Sequence, residues 1–134
     1  MAGKVIRIGK VSSVDYENGM IKVTYPDLDN AVTDDLPVMS FNGEYKMPEI
    51  GKEVLVLHLS NGTAAGIVLG PYWNKRNQPA ESGPGLYRKE LGSYPGEAFA
   101  KYVGGVLEIN AAQIVFVTES GSVTVAELLA LLGR

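Results

Sequence analysis

The chain has 134 residues, 46% of them hydrophobic and 20% charged, with 16 glycines, 7 prolines and no cysteine. That balance excludes a wholly disordered chain, a disulfide framework and a thiolate metal centre, and it favours short strands joined by many turns. The net charge of −3 is unevenly placed: residues 1–73 carry six Lys or Arg against nine Asp or Glu, while residues 74–134 carry six of each, which argues against a groove that tracks a nucleic-acid backbone.

The start, MAGKVIRIGK, interleaves charged and apolar residues, and no stretch approaches the ~20 apolar residues that span a bilayer. Neither an export signal nor a membrane anchor is expected, and synthesis in a cytosol is the simplest reading. VIRIGKVSSV runs through DYENG into MIKVTYP, where Ile21, Val23 and Tyr25 alternate with Lys22 and Thr24. With Asn18-Gly19 at the turn, this predicts a β-hairpin.

After PDLDNAVTDDL, a short strand is expected in PVMSF, then an irregular connection, NGEYKMPEIG. KEVLVLHLS is the strongest strand pattern. Leu55, Leu57 and Leu59 share one face and Val54, Val56 and His58 the other, so both sides are largely apolar and the strand is expected to be central. Asn61-Gly62 leads into a partner strand, TAAGIVLGPYW. Five short strands in about 70 residues must hide their edges, and the all-β solution expected over residues 1–73 is a five-stranded OB-like barrel.

NKRNQPAESGPG reads as a linker, and residues 74–103 as a linker and transition segment. Residues 104–134 then bring short β segments around Leu107, Ile109 and the run Ile114-Val115-Phe116-Val117, which is apolar on both faces. Thr124 stands three positions before Glu127, a capping box, and Val125, Leu128, Leu129 and Leu132 follow at helical spacing before Gly133. Leu131 lies off that stripe. So short a helix is marginal alone, and the roughly 48 residues after the break at 74–85 are too few for a single core of their own.

Self-association is the expected remedy. Three copies wound about one axis would pair one another's strands and bury Leu107, Ile109, Ile114, Val115, Phe116, Val117, Val123, Val125, Leu128, Leu129 and Leu132 between them. A two-fold sandwich would meet the same need less fully, although two-fold oligomers are the commonest kind.

Signs of chemistry are sparse. His58 has no second His or Cys and sits mid-strand, so a hydrogen-bonded structural role is expected rather than a metal ligand or base. Asp27, Asp29, Asp34 and Asp35 lack a calcium-loop pattern and read as a solvated loop. No serine stands in a nucleophile elbow, and no enzymatic activity, cofactor or metal is expected. Tyr25, Phe41, Tyr45, Tyr72 and Trp73 could stack bases on an OB sheet, but the acidic loops favour core and subunit contact, with Tyr72 and Trp73 marking where the chain leaves the barrel. Lys75-Arg76 and Arg88-Lys89 are expected to be solvated or paired with Glu81 and Glu90.

In order and spacing, IGKVSSVDYENGMIKVTYPDLDN, YKMPEIGKEVLVLHLSNGTAAGIVLGPYWN, GEAFAKYVGGVLEINAAQIVF and SGSVTV resemble the baseplate assembly protein V family, the central spikes of contractile phage tails and related injection particles. The resemblance spans almost the whole chain and includes no catalytic motif. It implies an OB barrel docked as a homotrimer beneath the tail hub, with Tyr72 and Trp73 on the hub side. It also implies an intertwined three-chain β prism (a triple-stranded β-helix) pointing at the target membrane, in a phage or tail-like bacteriocin baseplate. Strand rows between Gly104 and Val125 would give a shaft of only roughly 15–20 Å. Spikes of this family often end in a His-x-His iron site, and this chain departs from that pattern, since His58 is its single histidine. The Leu-rich helix is instead expected to close the trimer or seat a separate tip protein. Two other functions fit the residues less well: an OB-fold single-stranded nucleic-acid-binding protein with an oligomerising tail, and an assembly chaperone or adaptor.

Overall fold

The computed structural model describes residues 5–59 and 65–134, so the expected Asn61-Gly62 turn lies outside the described residues. The described residues are mostly strand with one short C-terminal α-helix, the all-β class expected, and the chain divides into two compact units, Met1–Gln78 and Pro79–Arg134.

The first unit contains β1 (Ile6–Asp15), β2 (Met20–Tyr25), a 3-10 turn (Pro26–Leu28), β3 (Ala31–Val32), β4 (Leu36–Pro37), β5 (Glu53–His58) and β6 (Gly66–Pro71). Their order is β3-β2-β1-β5-β6, with β4 also on β2. The expected first hairpin is present, Asp15 opposite Met20, and Gly19 takes the left-handed conformation (φ 66°) that its turn requires. The strand expected in PVMSF is shorter than its composition suggests. Pro37 cannot donate to a ladder, and Phe41, Asn42 and Gly43 all take positive φ (45°, 64° and 87°), which turns the chain away. Val38 still makes an isolated parallel bridge to Val68 of β6, and the Met39 N–H donates to the Val68 carbonyl at 2.8 Å.

Alternation decides what enters the core. Ile21, Val23 and Tyr25 from β2 are fully buried with Val54 and Val56 from β5, and Val11, Leu36 and Val68 complete the cluster. β5 lies between β1 and β6, the central place its two apolar faces suggest, and Leu57 and Leu59 point outward. Gly9 lets β1 approach so closely: a Cβ there would stand 2.5 Å from Val23 Cγ1 and 2.7 Å from the Thr24 carbonyl oxygen.

The first unit extends past Trp73. Asn74 and Asn77 exchange backbone hydrogen bonds of 3.1 Å, Asn77 Nδ2 donates to the Tyr72 carbonyl at 2.9 Å, and Lys52 Nζ donates to Asn77 Oδ1 at 3.0 Å. Hydropathy sees only a polar run here, whereas the two asparagine amides pin it in place.

The second unit holds an antiparallel meander, β7 (Tyr87–Glu90), β8 (Phe99–Val103) and β9 (Val106–Asn110), then a two-stranded ribbon, β10 (Val115–Thr118) and β11 (Gly121–Thr124), and α1 (Val125–Leu131). Residues 74–103, read from the sequence as linker and transition, therefore carry two strands. Gly104 and Gly105, both at positive φ (59° and 81°), form the two-residue turn between β8 and β9, so a boundary set before Gly104 divides a hairpin. In α1 both arms of the capping box are present. The Gly133 N–H donates to the Ala130 carbonyl and the Arg134 N–H to the Leu129 carbonyl, closing the helix in a Schellman motif.

A candidate assembly surface

Register divides the meander into two unlike faces, because residues directly opposite each other point the same way. One face carries the rows Arg88–Lys101–Glu108 and Glu90–Phe99–Asn110, with the exposed pair Val103–Val106 beside the turn. The Arg88 guanidinium lies 3.7 Å from the Phe99 ring centroid and grips both carboxylate oxygens of Glu90. Glu81 closes the cluster, accepting from Arg88 Nη1 at 3.0 Å and from Lys101 Nζ at 3.1 Å. These contacts hold the Glu81 carboxyl below its ordinary range, Lys101 acting most strongly and partial burial opposing. The expected pairing of Arg88 with Glu81 and Glu90 is thus present, and this face meets its own electrostatic needs.

The other face carries Tyr87–Tyr102–Leu107 and Lys89–Ala100–Ile109. Tyr87, Tyr102, Leu107 and Ile109 are all exposed, Leu107 to 67%. In the ribbon, Val115 and Val117 lie on one side with Ser122 and Thr124, and Phe116 lies on the other opposite Val123. Val117 is 74% exposed, Val115 and Phe116 are exposed, and Val123 is half-buried. Ile114, half-buried, accepts from the Val125 N–H at 2.9 Å, where the ribbon passes into α1. Val125 is half-buried and Leu128, Leu129 and Leu132 are exposed, as is Leu131 at 82%; no helix residue is buried. Phe99 is the single buried hydrophobic side chain of residues 79–134, and it belongs to the charged face. All eleven residues expected to be shared between copies therefore lie at the surface of one chain or half-buried in it. Tyr87 and Tyr102 join this face only through the register that the Gly104-Gly105 turn sets, which no hydropathy pattern in the sequence signals.

The first unit's polar core is closed by its own hydrogen bonds. His58 Nδ1 donates to the Ala65 carbonyl at 3.0 Å, so in the neutral ring Nε2 is the acceptor for the Tyr25 hydroxyl at 2.6 Å. Burial pushes the Tyr25 hydroxyl up to about 12, with Arg7, 5.6 Å from the ring centroid, opposing the rise and Asp27 adding to it. His58 thus holds a structural hydrogen-bonding position. Tyr25 lies within the core and is unavailable as a stacking surface, while Phe41, Tyr45 and Trp73 are exposed. Tyr72 is half-buried, its carbonyl held by the asparagine turn, and Trp73 is 66% exposed. Of the acidic loop, Asp27 pairs with Arg7 and Asp35 with Lys22.

Among the described residues no group of three or more His, Cys, Asp or Glu is placed to hold a metal ion, and no helix is long and apolar enough to cross a membrane. No protein-family model and no curated protein matches the chain.

Proposed function

We propose that this chain is the subunit of a homotrimeric structural spike at the tip of a contractile tail or tail-like particle, working through shape and assembly. The observation that carries the reading is the second unit itself: strands, ribbon and capped helix are formed, yet only Phe99 among its hydrophobic side chains is buried. A 56-residue unit with one buried hydrophobic side chain has no core of its own, and identical copies supply the missing layer. In this reading the second units intertwine as a short β prism, and α1 closes the trimer or seats a separate tip protein. The first unit is an OB-like barrel docked under the hub, a curl supported by β4 lying on β2 while the next residue bridges to β6. Interchain hydrogen bonds and shared side chains then transmit axial force toward the target envelope without chemistry.

Light scattering coupled to gel filtration tests this directly on the full chain. A three-chain mass, with no salt-dependent binding of a single-stranded oligonucleotide, is expected. A cooperatively folded single-chain species at low micromolar concentration would remove the reading, and tight oligonucleotide binding would move it to the nucleic-acid class.

A further inference from the structure

Resting on that self-assembly reading, the geometry points to which side of the meander meets the neighbouring copy: the Tyr87–Tyr102–Leu107 face is the contact between copies, and the Arg88–Lys101–Glu108 face looks outward. The two faces differ in what they lack. Arg88 and Lys101 already have carboxylate partners within the chain, and Arg88 covers Phe99, so a partner docking there would break satisfied ion pairs. The opposite face offers Tyr87, Tyr102, Leu107 and Ile109, all exposed, with Lys89 its single charged residue.

Two features select a second copy of this chain as the occupant. Four side chains cover only part of the roughly 800 Å² per partner that a stable interface buries, and the exposed apolar ribbon and helix of the same unit offer further area that a copy of this chain can share. Another copy brings all three surfaces in matching proportion. The face also lacks the charge that a nucleic acid or an acidic protein would seek, while a tyrosine ladder flanked by Leu107 and Ile109 can pack against its own symmetry mate with no carboxylate opposed to carboxylate.

Leu107 and Glu108 are adjacent on β9 and face opposite ways, which makes the inference simple to test in a chain with no cysteine. L107C and E108C are each introduced into the full chain, and their masses are checked by light scattering. Each is then treated with a short bis-maleimide at a dilution where unassembled chains do not react. L107C is expected to give several-fold more covalent dimer on a denaturing gel than E108C. An oligomer in which E108C links as readily, or L107C not at all, overturns the face assignment and leaves self-assembly standing. Single-chain masses for both variants and the parent overturn the assembly reading and this inference together.

Discussion

Both units are strand-rich and carry many large apolar residues, but the eight residues of the buried hydrophobic cluster all belong to the first, whereas the second buries only Phe99. The difference is not composition. In the first unit β2, β1 and β5 turn one face inward, and Leu36 and Val68 arrive from other strands to close over it. The second unit's meander, ribbon and helix form separate small elements, each with good local geometry and no second layer. Well-formed secondary structure is therefore no measure of how much burial a chain has achieved for itself.

The strongest way to break this comparison is to separate the units. A chain ended after Gln78 is expected to unfold cooperatively in urea at a midpoint independent of protein concentration, while the full chain loses its second-unit signal on dilution. A second-unit transition that ignores concentration would show that this half stabilises itself. Next in size, Ile21→Ala removes a fully buried side chain and should cost about 2–5 kcal/mol in denaturant titrations, whereas Leu129→Ala should act mainly on the concentration dependence of assembly.

A smaller effect sharpens the first unit. The folded-state value of Tyr25, about 12, lies above the ordinary 10.0, so its contribution is complete below pH 10 and is lost as pH rises toward 12. A decline on the order of 2 kcal/mol is expected over that window. Tyr25→Phe should abolish the decline, at a cost of about 1–3 kcal/mol at neutral pH because His58 Nε2 loses its donor. A decline that persists in the phenylalanine variant would place the titration elsewhere. Smallest is Thr124→Ala, which removes the hydroxyl accepting from the Glu127 N–H and should weaken α1 by about 0.5–2 kcal/mol, read as lost helical circular dichroism.

Much of the local structure was legible. The alternation at Ile21, Val23 and Tyr25 marked a half-buried strand, the doubly apolar β5 marked a central one, and Thr124, Glu127 and Gly133 marked both ends of the helix. The asparagine turn at 74–77 and the strands β7 and β8 were not, because amide hydrogen bonds and short charged strands leave no trace in a hydropathy pattern. RKE in β7 is held by its ladder with β8 and by Glu81, which accepts from both Arg88 and Lys101. Of the candidate surface, its aliphatic members could be read directly. Tyr87 and Tyr102 became members only through register.

What the amino-acid order determined by itself is whatever depends on neighbours a few positions away: period-two patterning, the capping box, the permissive glycines, and the absence of thiol chemistry. Tertiary structure alone decided which of two apolar faces is enclosed, since Val54 and Leu55 look alike until β1, β2 and β6 take their places around β5. It also decided that Arg88, paired with Glu81 and Glu90 as its neighbours allow, lies over Phe99 of the next strand, and that a face of tyrosine and leucine is left uncovered. The physical reason is that enclosure depends on strands brought together from distant parts of the chain, and no local window contains both the side chain and what covers it.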